Sequence, residues 1–304
     1  MTPTFSTYVT TWDRDPYQQI QEMINKNVIT ENTRIILAFA SFNFSSTTYI
    51  PGFGSLTIQQ VQAITGLVHG VKAKISLSIG GATYPLTGSD LYTQPGVLAS
   101  NINTMLKMCD FDGVDFDIED ASTIVPSNFA VTAASIINTL RSINPSVYIT
   151  LTTAAQAWSS TNYQQYLLNL TIGSINAWQP MEYDIWINPT CYLSKRTGKS
   201  QWLLDPSAAY PDQIQWDINY YLTTWGVPAN KIILGLMPGA DDSNQVLTLQ
   251  NALNLTTFVQ INELQGVMTW DANIDSKGCD GNAPYAYCMG IQSMLTMNPP
   301  RLIK

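Results

Sequence analysis

The chain has 304 residues, 45% of them hydrophobic and 12% charged, with a formal net charge of −8. That length suits one large domain with a full core, read here as residues 1–304, and the acidic balance argues against nucleic acid or an anionic membrane surface as partner. No apolar run approaches the roughly 18–20 residues of a membrane span, and the single histidine, His69, all but excludes multi-histidine metal sites and weakens any Ser-His-Asp reading.

Short β-rich apolar runs alternate with longer amphipathic runs along the whole chain. Strands are predicted over residues 7–12, 34–43, 74–79 and 111–119, each followed by a helix, over 16–25, 55–68, 96–108 and 127–143. The second half repeats the alternation. Strands fall over 147–154, 175–183, 231–237 and 266–270, and helices over 161–170, 211–225, 243–262 and 285–297. Eight such units imply parallel strands covered by helices, and the closed solution of that pattern is the α/β (β/α)8 TIM barrel. An open doubly wound sheet is disfavoured because no glycine-rich dinucleotide loop follows the first strand. His69, beside Gly70 at the end of a helix pattern, reads as a helix C-terminal histidine.

The N-terminal MTPTFSTYVTTWD lacks the basic start and apolar core of a signal peptide, so export is expected only for a processed form. Sequons begin at Asn43, Asn169 and Asn254 and are weak evidence for a secreted protein. Of the four cysteines, Cys279 and Cys288 flank a short polar loop and are candidates to pair; Cys109 reads as a buried thiol, and Cys191 has no assigned partner.

The densest chemistry lies in DFDGVDFDIED, which places Asp110, Asp112, Asp115, Asp117, Glu119 and Asp120 within eleven residues. Side chains alternate along a strand, so Asp115, Asp117 and Glu119 share one face, each about 7 Å from the next. Parallel barrel strands have no solvated face, so this row points into the barrel, with Phe116 and Ile118 packing under the helices. Crowding and desolvation both raise carboxyl pKa values, which predicts that at least one proton stays in the row near neutral pH. Glu119 comes last, at the C-terminal mouth where barrel active sites sit, positioned to donate a proton to a leaving group.

These residues carry a resemblance. Asp112-Gly-Val-Asp115-Phe-Asp117-Ile-Glu119 resembles the DGxDxDxE signature of family 18 glycoside hydrolases, the chitinase family. Ser78-Ile79-Gly80-Gly81 resembles its SxGG motif, Met181-Glu182-Tyr183-Asp184 its MxYD motif, and Trp270 stands where the family places a sugar-platform tryptophan. The resemblance implies a chitinase acting on chitin or N-acetylglucosamine oligosaccharides by retaining, substrate-assisted hydrolysis, without a cofactor or metal. It implies Glu119 as general acid and base, Asp117 orienting the substrate acetamide, Asp115 sharing a proton with Asp117, and Tyr183 donating a hydrogen bond to the acetamide oxygen. Asp184, Met181 and Trp270 would line the sugar site, with Ser78 behind the Asp115–Asp117 pair. Trp186, like Trp12 and Trp158, falls at or beyond a predicted strand end and is a candidate platform. Trp216 and Trp225 read as packing residues.

Ile118 stands where many family members carry an aromatic residue, a departure shared with plant class III members. Asp120 has no assigned role. Only residues 238–265 separate the seventh and eighth strands, too few for the α+β domain that walls the groove of some members. An open groove and endo-type cleavage are therefore expected of a monomer, with residues 185–210 as the candidate specificity loop. The same motifs serve endo-β-N-acetylglucosaminidases of N-glycans, and a chitin-binding lectin on a disabled barrel is the non-enzymatic alternative.

Overall fold

The computed structural model describes residues 3–40, 53–83, 86, 92–119, 126–155, 163–184 and 210–297. Its strands are β1 (Thr4–Thr10), β2 (Thr33–Ala40), β3 (Lys74–Gly80), β4 (Gly113–Ile118), β5 (Tyr148–Ala154), β6 (Ala177–Met181), β7 (Ile233–Leu236), the short β8 (Gly239–Ala240) and β9 (Val246–Leu247), and β10 (Gly266–Thr269). All but β8 and β9 are parallel and close into one barrel in the order β1-β10-β7-β6-β5-β4-β3-β2. The expected TIM barrel is therefore present.

Around it run α1 (Pro16–Asn25), α2 (Ile58–Gly70), α3 (Pro95–Met108), α4 (Pro126–Ile143), α5 (Tyr163–Thr171), α6 (Tyr210–Thr223), α7 (Leu249–Ile261), the single-turn α8 (Ala272–Ser276) and α9 (Ala286–Thr296). Their starts follow local chemistry. Asp15 accepts from the first free amides of α1, and Thr57 with Gln60 forms a reciprocal capping box on α2. No described helix is long and apolar enough to cross a membrane.

The structure departs from expectation between β7 and β10. The predicted helix over 243–262 begins only at Leu249, because Thr248 caps it, and the residues before it form the antiparallel β8–β9 hairpin. No α+β insertion stands there. A second departure is α8, too short for a periodic signal and nucleated by Asp271, whose carboxylate accepts from Ile274 N–H at 2.7 Å. The Cys279–Cys288 pairing is not formed. Cys288 is buried against Thr269 and Thr7, whereas the Cys279 thiol turns to the Ile274 carbonyl. Cys109 is buried, as expected, and Cys191 lies outside the described residues.

Strand alternation divides the core in two. Outward residues such as Leu77, Ile79, Val114, Phe116, Ile118 and Leu151 pack under the helices. Inward residues such as Tyr8, Ile36, Ala177, Met181, Ile233 and Met268 fill the barrel. Trp178 faces outward and packs on Tyr221 and Trp225, with ring centroids 4.8 and 5.8 Å away. Trp225 is thus a packing residue, as expected, and Trp216 stacks on Tyr220 at 5.2 Å.

The N-terminal pole explains Asp112. It lies just before β4 and accepts from Lys74 Nζ at 2.8 Å and Ile75 N–H at 2.9 Å, and pairs with His69 Nε2 at 2.9 Å. The other ring nitrogen of His69 lies 3.3 Å from Asp110. His69 does sit in the last turn of α2, but its partner is the acidic stretch. Partial burial pushes the Asp112 carboxyl up, yet these hydrogen bonds outweigh it and hold the carboxyl below the usual range. A depressed folded-state pKa stabilises the fold above the unfolded value of about 3.9, and that contribution disappears as pH falls through the folded value. Asp112→Ala is expected to lower unfolding free energy at pH 7 by about 1–2 kcal/mol, the lower part of the charged hydrogen-bond range because Lys74 is exposed. Urea titrations should show the gap to wild type narrowing toward pH 3; a gap independent of pH would contradict this account.

Candidate active site

The site is built on the inward face of β4. Asp115 sits at mid-barrel, fully buried, because β4 pairs in register with β3 and β5: Ser78 lies opposite Asp115 on one side and Thr150 on the other. One carboxylate oxygen accepts from the Tyr8 hydroxyl and Ser78 Oγ, each at 2.7 Å. The second accepts from Thr150 at 2.6 Å, Thr152 at 2.7 Å and Gln179 Nε2 at 3.2 Å. Burial still dominates and leaves the Asp115 carboxyl above its ordinary range, with the hydrogen bonds opposing.

One step up the same face is Asp117, 3% exposed, and Glu119 follows one residue past the strand end, half-buried at the C-terminal mouth. The third strand ends in the glycine pair. Gly80 has φ +113°, and a Cβ there would collide with the Asp117 carbonyl oxygen; Gly81, at φ +82°, donates its N–H to that same oxygen at 2.9 Å. A Cβ on Gly81 would come within 2.6 Å of the Phe39 ring. Both glycines are thus required by the close approach of β3 to Asp117 and Phe39.

Tyr183 follows β6 and is 5% exposed. Burial first, then the negative charges of Asp117, Glu119, Asp184 and Asp115, drive its phenol far above the ordinary value, so it is held as a neutral donor. Its hydroxyl is buried and has no hydrogen-bond partner among the described residues. Met181, 8% exposed, packs in the inner core below it.

Asp184 is tied to the residues between β8 and β9. It has φ +54°, its N–H donates to Asp241 at 2.8 Å, and its own carboxylate accepts from Asp242 N–H at 2.7 Å. It therefore clasps the end of β6 to the β8–β9 turn.

Aromatic rings wall one side of the mouth. Trp270 meets Tyr8 edge-on at 5.0 Å and stacks on Phe39 at 5.8 Å. Phe39 in turn stacks on Trp12 at 5.8 Å, and Trp12 is 51% exposed. The row runs from barrel interior to solvent. Trp158 and Trp186 lie outside the described residues.

The structure thus brings Asp115, Asp117, Glu119, Tyr183, Trp270, Ser78 and Met181 together along the inner face of the barrel, from its middle to its C-terminal mouth. Ser78 is fully buried and spends its hydroxyl on Asp115. Sequence reasoning missed Tyr8, Phe39, Thr150, Thr152 and Gln179. The four polar side chains among them lie at inward strand positions, where polar residues inside a barrel were the available signal.

A family model described as "Glycosyl hydrolases family 18" matches residues 4–285. No curated protein sequence matches. Among solved structures, active domain 2 of a chitinase from Pyrococcus furiosus aligns with TM-score 0.70 at 17% identity, over 99% of this chain and 98% of that one. A GH18 chitinase from Pseudoalteromonas aurantia aligns with TM-score 0.70 at 18% identity, over 96% and 99%. Human YKL-39, described as a pseudo-chitinase with retained chitooligosaccharide binding, aligns with TM-score 0.71 at 16% identity, over 97% and 100%. At these identities the structures speak for the fold, whereas the family model spans most of the chain and all three motif-bearing strands. The chain with the DGxDxDxE row on β4 therefore belongs to glycosyl hydrolases family 18.

Proposed function

We propose that this protein is a chitinase that cleaves β-1,4 links between N-acetylglucosamine units inside the polymer, with retention of configuration. The observation that carries the reading is the Tyr183 hydroxyl, buried and without a partner among the described residues, close to the charges of Asp117 and Glu119 and in the inner cluster on which Trp270 packs. A buried donor left unmatched in the free protein costs about 1–3 kcal/mol, and a ligand acceptor relieves that cost. The acetamide oxygen of an N-acetylated sugar lying on Trp270 is such an acceptor.

In this mechanism Glu119 protonates the glycosidic oxygen while the acetamide oxygen of the same sugar attacks the anomeric carbon. The leaving sugar departs with that proton, and an oxazolinium ion forms. Asp117 holds the acetamide N–H and balances the positive charge that develops. Tyr183 donates to the acetamide oxygen and fixes its line of attack. Glu119, now a carboxylate, takes a proton from water as that water opens the ring. Asp115 stays behind Asp117, its lone pairs occupied by Tyr8, Ser78, Thr150, Thr152 and Gln179.

The short connection from β7 to β10 supports an open groove, and the Trp12–Phe39–Trp270 row supports an extended one. A protein that retains Glu119, Asp117 and Tyr183 has every group hydrolysis requires, which favours an enzyme over a lectin. Cleavage of a high-mannose glycoprotein in preference to chitin oligomers would instead identify an endo-β-N-acetylglucosaminidase.

Three outcomes are expected. The product first released from a chitin hexamer should be the β-anomer by NMR; an α-anomer would refute acetamide participation. Glu119→Gln should lower kcat by about 10²–10⁴-fold with little change in oligomer binding by calorimetry. Trp12→Ala should raise KM for the hexamer by about 2- to 10-fold, the contribution of one aromatic face, while a short chromogenic substrate is nearly unaffected. Equal effects on both substrates would remove Trp12 from the groove.

A further inference from the structure

The barrel floor, at the pole opposite the candidate active site, holds a buried cation. Arg34 stands at an inward position of β2, in register with Ser6 of β1 and Lys74 of β3, and is 8% exposed. Its Nη1 donates to Ser76 Oγ at 2.9 Å, and its Cζ lies 3.8 Å from the centroid of the Tyr148 ring. Those two contacts fix the plane of the guanidinium and one of its edges. The rest of the fork is unspent. Nε is buried with no hydrogen-bond partner, and Nη2 makes no hydrogen bond among the described residues.

Arg34 forms no ion pair among the described residues. Asp112 acts on it from a distance, but that carboxylate is spent on Lys74, the Ile75 N–H and His69. Burial pulls the Arg34 pKa below the ordinary arginine value, with Tyr148 and then Asp112 opposing. Beside the guanidinium lies a cavity of about 180 Å³, lined by Arg34 and Lys74 together with Thr4, Asn32 and the exposed Glu31. A water takes about 30 Å³, so the cavity admits an ion of a few heavy atoms and excludes a sugar chain. Nε and Nη2 share the edge of a guanidinium that receives two oxygens of a carboxylate or phosphate in parallel.

We propose that this floor cavity binds a small oxyanion, such as inorganic phosphate or a free carboxylate, on the Nε–Nη2 edge of Arg34, with Lys74 adding a second positive charge. A desolvated guanidinium without a counter-charge is costly, and the anion relieves that cost. Because Nε is closed to bulk water, the second oxygen seats with a small rotation of the side chain. Ser6, whose hydroxyl is buried and unpartnered at the level of Arg34 on β1, offers a further donor. Lys74 is exposed and shared with Asp112, so it acts mainly through its charge, and the Glu31 charge opposes it. A ligand that binds the folded chain alone raises its melting temperature.

The test uses the whole chain with nitrogen-labelled arginine side chains. The Arg34 Nε–H resonance is assigned by its contacts with the Tyr148 ring and by its loss in Arg34→Lys. Sodium phosphate and sodium acetate are each titrated in exchange for sodium chloride at constant ionic strength. At least one of them should shift that resonance saturably and raise Tm. The expected Kd is about 1 mM, the strength of two charge-assisted hydrogen bonds.

Arg34→Lys keeps the charge but lacks the fork, and should weaken binding by about tenfold or more. Lys74→Ala should weaken it by about 2- to 5-fold, and Glu31→Gln should strengthen it by a similar factor. The proposal is overturned if the Arg34 resonance ignores both anions, if its shift grows without saturating, or if Arg34→Lys binds as tightly as wild type. Should Arg34→Lys fail to fold, the wild-type titration and the opposite signs of Lys74→Ala and Glu31→Gln decide, and equal affinities in those two variants would also overturn it. None of these readouts depends on hydrolysis, so they judge the floor site whatever the protein cleaves.

Discussion

The site depends on a carboxyl group held at the centre of a barrel where water does not reach. Asp115 is fully buried and receives hydrogen bonds from β1, β3, β5 and β6. That arrangement makes demands on the whole cylinder. Each donor stands at an inward position of its own strand, so the parallel register must hold on both sides of β4. A slip of one residue would turn every donor to the helix side and leave the carboxyl stranded. The barrel therefore gains uniqueness of register from the same group that stands behind Asp117.

Polarity along the barrel axis is ordered in layers. At the floor, Arg34 donates to Ser76 at 2.9 Å and lies over the Tyr148 ring at 3.8 Å. Asp115 and its donors form the middle layer. Asp117, Tyr183 and Trp270 form the upper one, with Glu119 at the rim. From the middle layer to the rim exposure rises. Asp115 is committed to protein partners, whereas Glu119 is half-buried and within reach of solvent.

Much of this was legible in the sequence because the information is periodic. Alternation on β4 separated Asp115, Asp117 and Glu119 from Phe116 and Ile118, and the spacing of eight βα units implied the closed barrel. What escaped was set by register between distant strands. Nothing in the local sequence around Tyr8 or Gln179 says that they meet Asp115, because the contact is created by pairings that close only in three dimensions. Asp112 was separable from the inward row by its odd offset, but its link to His69 joins the end of α2 to the start of β4. The backbone of Asp184 is left-handed, and its carboxylate meets the β8–β9 hairpin, an element too short for any pattern to announce.

Glu182 shows how one strand end can serve two environments. Its neighbours Met181 and Tyr183 belong to the barrel interior, and Glu182 belongs to the helix layer, where burying an acid is costly unless it keeps a proton or a partner. An apolar residue there would pack under α6 with less cost, as Leu234 and Leu236 do on the adjacent strand. The stability argument therefore does not account for a carboxyl at this position, opposite a second carboxyl on α6. The step from Glu182 to Tyr183 thus crosses from the helix layer to the barrel interior within one peptide.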